Sequence, residues 1–180
     1  MRSTENIELL LKNLGEDWTN ISPEELAQRV EALHGMQIEF FEMPMPKNYF
    51  GACMVVVEEE ISATGFVFYA PNLNATLKSH VKTHEVAHLA LGHNTVVLSF
   101  EELEKIQHHP ELLLSSDKTI ACRAMTASPN LSRKYLQEQE AENLTRTIYD
   151  KHFAARQRQH LEHASSYDDM DEALHRMGIA

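Results

Sequence analysis

His84, Glu85 and His88 are the residues of this chain whose types and spacing could do chemistry, within the HExxH run His84-Glu85-Val86-Ala87-His88. On a helix, residues four apart lie one turn apart on the same face, so both imidazoles can address one ion. Glu85 beside them is placed to take a proton from a water on that ion. Zinc is the usual occupant of such a pair, and peptide hydrolysis its usual chemistry. The pattern is short, and a chain with 11 His meets it by accident often enough that context must decide.

A catalytic zinc site needs three protein ligands and an open fourth position. The spacing argues against His93: the extended HExxHxxGxxH pattern puts Gly seven and His ten residues after the first His, whereas Gly92 and His93 fall at eight and nine. Glu140 is the better candidate. At 100° per residue it lies within about 40° of Leu136 and Leu144, which places it in an apolar stripe and leaves Glu138 and Glu142 facing water. A carboxylate on a core face is costly unless it is paired or bound to metal. Glu140 is therefore expected to complete a His84, His88, Glu140 site. A salt bridge from Glu140 to an inward Arg or His is the alternative.

The elements that must position these residues read as an α+β fold. Ile7, Leu10, Leu11 and Leu14 mark a helix over 4–14, and Ser22-Pro23-Glu24-Glu25 caps a second helix that ends at Gly35. Alternation at Met36, Ile38 and Phe40 predicts a strand, with further strands at Phe50–Val57 and Phe66–Ala70 and a turn from Glu58 to Gly65. Asn72 or Asn74 can cap the HExxH helix over 74–91, whose inward stripe is Leu77, Val81, His84, His88 and Leu91. A helix opens at Ser99 and fails near Pro110; residues 111–130 read as irregular. A long helix over 131–160 and a short acidic one over 168–177 follow. The organisation is one domain over 1–180: N-terminal helices (1–35), sheet and HExxH helix (36–93), a short helix and irregular insertion (94–130), and C-terminal helices (131–180).

Composition narrows the function. A formal net charge of −11 repels phosphate backbones and argues against direct nucleic-acid binding. No transmembrane run or signal peptide is evident, so a cytoplasmic protein without membrane contact is expected. Cys53 and Cys122 form no metal or disulfide pattern and read as small buried hydrophobes.

With these residues in place, the chain resembles the ImmA/IrrE family of bacterial metallo-endopeptidases. Two segments carry the likeness: Gly65–His93, with a strand, a proline–asparagine turn and the metal helix, and Glu138–Leu144, similar to the family's E-x-E-A-N stretch. The resemblance implies a zincin-like minimal metallopeptidase fold, with a small antiparallel sheet of about three strands packed on the HExxH helix and the glutamate helix. It also implies one zinc per chain on His84, His88 and Glu140, with Glu85 as general base. Glu111 stands as a second candidate for the third ligand, because the gap from His88 to Glu140 is long. The partner class it implies is a helix-turn-helix repressor or antitoxin, cleaved by metal-activated water. A strand at Gly65–Ala70 could offer an edge for an extended peptide, and His93, Tyr69 and His80 are possible helpers whose simpler reading is packing or surface. Two other readings compete: a non-catalytic zinc module that sequesters such a repressor, and an accidental HExxH in an ordinary α+β protein.

Overall fold

The first two helices are set by their ends and one apolar stripe. Helix α1 (Arg2–Asn13) buries Ile7 and Leu11, and the chain leaves it through Leu14 and Gly15, whose φ of 106° suits glycine. Helix α2 (Pro23–His34) carries its cap as written in the sequence. The Ser22 hydroxyl accepts the Glu25 N–H, Pro23 opens the helix and Gly35 closes it in the left-handed region. These features come from a computed structural model that describes residues 2–47, 49–58, 62–93, 97–98, 100–109, 121–123 and 133–176.

The sheet contains β1 (Gln37–Glu42), β2 (Tyr49–Glu58), β3 (Ser62–Tyr69), β4 (Val97–Leu98) and β5 (Ala121–Arg123). It is mixed, where antiparallel pairing was expected: β1 runs parallel to β3, β3 antiparallel to β2, and β2 pairs with both short strands. Strand β3 begins at Ser62, inside the stretch expected to be a turn. It is also not an edge, since β1 and β2 flank it. Its apolar run Phe66-Val67-Phe68 is buried on both faces, as an interior strand requires.

Period-two alternation splits the strands between two cores. Ile38, Cys53 and Val67 face a core shared with α1 and α2, with α3 (Ala75–Ala90) and with α5 (Arg133–Arg176). Met54, Val56, Phe66 and Phe68 face the other way and pack with Met43 and with Ile106 of α4 (Phe100–His108). The result is an α+β arrangement in which the sheet separates α4 from the other helices.

Helix α5 is one continuous element where two helices were expected. At 44 residues it is about 66 Å long. Its buried stripe is Ala141, Leu144, Thr145 and Ile148, whereas Leu136 is 48% exposed. The phase inferred from Leu136 is therefore corrected. Glu138 and Glu142 border the buried stripe on one flank and Glu140 on the other, so Glu138 and Glu142 do not simply face water. Among the described residues no helix is long and apolar enough to cross a membrane. Glu111 and most of 111–130 lie outside the described residues.

Candidate metal centre

Helix α3 carries the centre, and several contacts fix its roll and depth. The Asn74 side chain accepts the Leu77 N–H at 2.9 Å and starts the helix. At the far end His34 Nε2 lies 3.0 Å from the Ala90 carbonyl, binding α2 to the end of α3. Lys82 reaches Glu24 at 2.9 Å and sits over the Phe40 and Tyr69 rings. From α5, the Tyr149 hydroxyl donates to Thr83 Oγ1 at 3.3 Å. The turn from Thr83 to Ala90 is buried, while Leu77, expected to face inward, is half-exposed.

Three donor atoms meet beside that turn. His84 Nε2 and His88 Nε2 are 3.1 Å apart, and Glu138 Oε2 lies 3.3 Å from the first and 3.5 Å from the second. Three ligands on a tetrahedral ion at about 2.0–2.1 Å stand about 3.3 Å from one another. Both the donor chemistry and the spacing fit a metal ion. His80, His84 and Glu142 make a second, more open group that shares His84, with Glu142 Oε2 3.4 Å from His84 Nδ1 and 3.5 Å from His80 Nε2. No match came from family models, curated proteins or solved structures.

Glu140 stands outside both groups. Its Oε2 lies 3.2 Å from His93 Nε2, and His93 Nδ1 lies 2.9 Å from His88 Nδ1. The pairing with an inward histidine, weighed above as the alternative for Glu140, is what these distances describe. The carboxylate that reaches both HExxH histidines is Glu138. The signal that finds it is the Ala141-Leu144-Thr145-Ile148 stripe, which puts Glu138 and Glu142 on the flank facing α3.

The electrostatics follow from burial and charge. Burial alone raises the Glu138 carboxyl, but hydrogen bonds to His84 and His88 and their charge outweigh it and bring the pKa to about 2. Hydrogen bonding to His84 leads the lowering at Glu142, with burial opposing it. Burial and the neighbouring His88 push the His93 imidazole below the ordinary histidine range. Glu85 is fully buried, and the Cys53 thiol is the side chain that hydrogen-bonds to its carboxylate. Burial pushes its pKa up; the charges of His88 and His84 oppose this.

Room for Glu85 comes from β2. A Cβ on Gly51 would stand 2.5 Å from Val81 Cγ1 and 2.9 Å from Glu85 Oε1, so only glycine permits this approach of strand to helix. Cys53, two residues along on the same face, is fully buried against this region. Sequence reading placed it as a small hydrophobe and missed its contact with Glu85. Cys122 falls in β5, with its side chain outside the described residues. His108 and His109 are exposed, as expected. A cavity of about 410 Å³ opens on the His93–Glu140 side, walled by Ile7, Leu10, Leu33 and Leu91, and does not include the three donor atoms.

Proposed function

We propose that the chain is a zinc-dependent metallopeptidase of zincin-like fold, with His84, His88 and Glu138 holding the metal and Glu85 as general base. The observation that carries this reading is the 3.1–3.5 Å triangle of two imidazole nitrogens and one carboxylate oxygen. The buried carboxylate of Glu85 on the same helix supports the catalytic part. Zinc bound there supplies Lewis acidity for a scissile carbonyl and lowers the pKa of a water in its open position towards ~7.

The protein's own groups supply the rest. Glu138 brings one negative charge to the two imidazoles and stays ionised at neutral pH. Glu85, desolvated and raised in pKa, holds a proton more readily than an exposed carboxylate, as a group that must accept one and pass it to a leaving amine should. A structural metal site has no need of such a base. The resemblance to the ImmA/IrrE family supplies the substrate class, a helix-turn-helix repressor or antitoxin.

The test is Glu85→Gln. The variant should bind one zinc per chain as the wild type does, while cleavage of the partner protein falls by at least about 100-fold. Equal cleavage by the two proteins removes Glu85 as the base. Sequestration of a repressor without cleavage, unchanged in the variant, makes the protein a zinc-bearing binding module instead.

A further inference from the structure

Glu140 and His93 are left without a part in that chemistry, yet they form a continuous chain that ends on a proposed metal ligand. Glu140 Oε2 is 3.2 Å from His93 Nε2, His93 Nδ1 is 2.9 Å from His88 Nδ1, and His88 Nε2 belongs to the donor triangle. His88 is fully buried and His93 nearly so. The His93 N–H also donates to the His88 carbonyl at 3.1 Å, which holds the turn after α3 against the helix end. Gly92, with a φ of 60°, makes that turn possible.

We infer that Glu140 and His93 are positioning residues that set the tautomer and ring orientation of His88 through a carboxylate–imidazole–imidazole relay. This rests on the metal-centre reading above. The proton inventory allows one consistent assignment. An imidazole that gives its Nε2 lone pair to a metal carries its proton on Nδ1. His88 Nδ1–H then donates to His93 Nδ1, so the His93 proton is on Nε2 and is donated to Glu140 Oε2. Every ring nitrogen in the chain is thereby used, and the negative end makes His88 a better donor to the metal. Glu142 lies beside His84 with no intervening imidazole, its Oε2 3.4 Å from the His84 Nδ1.

The relay is serial, which separates it from simple packing. Glu140 can act on the metal only through His93, so removing both residues should weaken binding no more than removing His93 alone. Glu140 is 37% exposed, and its replacement leaves no buried void.

The experiment compares zinc dissociation constants, by competition with a chromophoric chelator, for the wild type, Glu140→Ala, Glu140→Gln, His93→Phe and the His93→Phe/Glu140→Ala double variant. Cobalt-substituted spectra of each report the ligand geometry. Glu140→Ala and His93→Phe are each expected to weaken zinc binding by about 10–100-fold and to alter the cobalt spectrum. Glu140→Gln, which keeps an acceptor oxygen, recovers part of the loss, and the double variant matches His93→Phe. Zinc uptake with Glu140→Ala indistinguishable from wild type overturns the relay and leaves the metal centre standing. Losses that multiply in the double variant overturn the serial order and with it the relay. A wild-type chain that takes up no zinc overturns both.

Discussion

Replacing Gly51 by alanine tests the contact between β2 and the HExxH helix on which the position of Glu85 depends. The new Cβ would lie 2.5 Å from Val81 Cγ1, 2.9 Å from Glu85 Oε1 and 3.2 Å from Glu85 Cγ. Ordinary carbon contacts are about 3.5–4.0 Å, so strand or helix must give by about 1 Å. Val81 is buried and β-branched on a helix, which leaves it one strongly favoured rotamer and no means of swinging aside. Overpacking of this kind costs about 1–3 kcal/mol. Against it stands a gain of about 0.4–1 kcal/mol, because alanine restricts the unfolded chain more than glycine does. The net loss is about 1–2 kcal/mol, a fall in melting temperature of about 2–8 °C for a chain of this size. Gly65→Ala is the control: its nearest atom is the end of the Leu89 side chain at 2.9 Å, which can turn away, so it should cost less. The assay is thermal and urea unfolding of both variants beside the wild type. A Gly51→Ala protein as stable as wild type, or more so, would falsify the close approach and the packing assigned to Glu85. In the stable fraction of the variant, zinc uptake should persist while any hydrolysis falls, because the change touches the base and no ligand.

Buried Glu85 and half-buried Glu138 should give opposite pH signatures in the metal-free protein. Glu138 is depressed to about 2, so its contribution is present above its unfolded value of 4.5 and is lost as pH falls from there towards 2; Glu138→Gln should flatten that part of an acid-unfolding curve. Glu85 is raised, so the wild type is penalised as pH climbs through 4.5 and beyond. Glu85→Gln should stabilise the metal-free chain at pH 7, with the advantage vanishing below about pH 4.5; equal stabilities at pH 7 count against the raised value. Glu138→Gln should also lose more zinc affinity than the about 10–100-fold controlled by supporting residues, as measured by chelator competition. Lys82→Ala removes the contact to Glu24 and the stack over Phe40 and Tyr69, and should cost about 1 kcal/mol by urea unfolding.

Much of this arrangement was legible in the sequence wherever a local signal had only one structural reading. Ser22, Pro23 and Gly35 bound α2 because capping chemistry acts over a few residues. At the HExxH helix the sequence offered two caps, Asn72 and Asn74, and the helix starts from Asn74. The side of β3 was harder, since an apolar run does not say which strands will flank it, and the parallel pairing with β1 is a long-range outcome. The third carboxylate depended on which residues were trusted to mark the inward face of α5. Leu136 is apolar and exposed, whereas Ala141 and Thr145 are small and buried, so hydrophobicity alone turned the helix the wrong way. Residue size, read as closeness of helix packing, points to the right flank. The close approach at Gly51 could not be read from a glycine in a strand without knowing what lay opposite.

The three glutamates of α5 that meet histidines have a mechanical consequence. Glu138 meets His84 and His88, Glu142 meets His84 and His80, and Glu140 meets His93 from the opposite flank. Rolling α5 in either direction draws a carboxylate off its histidine, and sliding it along its axis strains all three. The helix is seated like a key with teeth on two edges, so the alignment of two helices and the assembly of the site are one event.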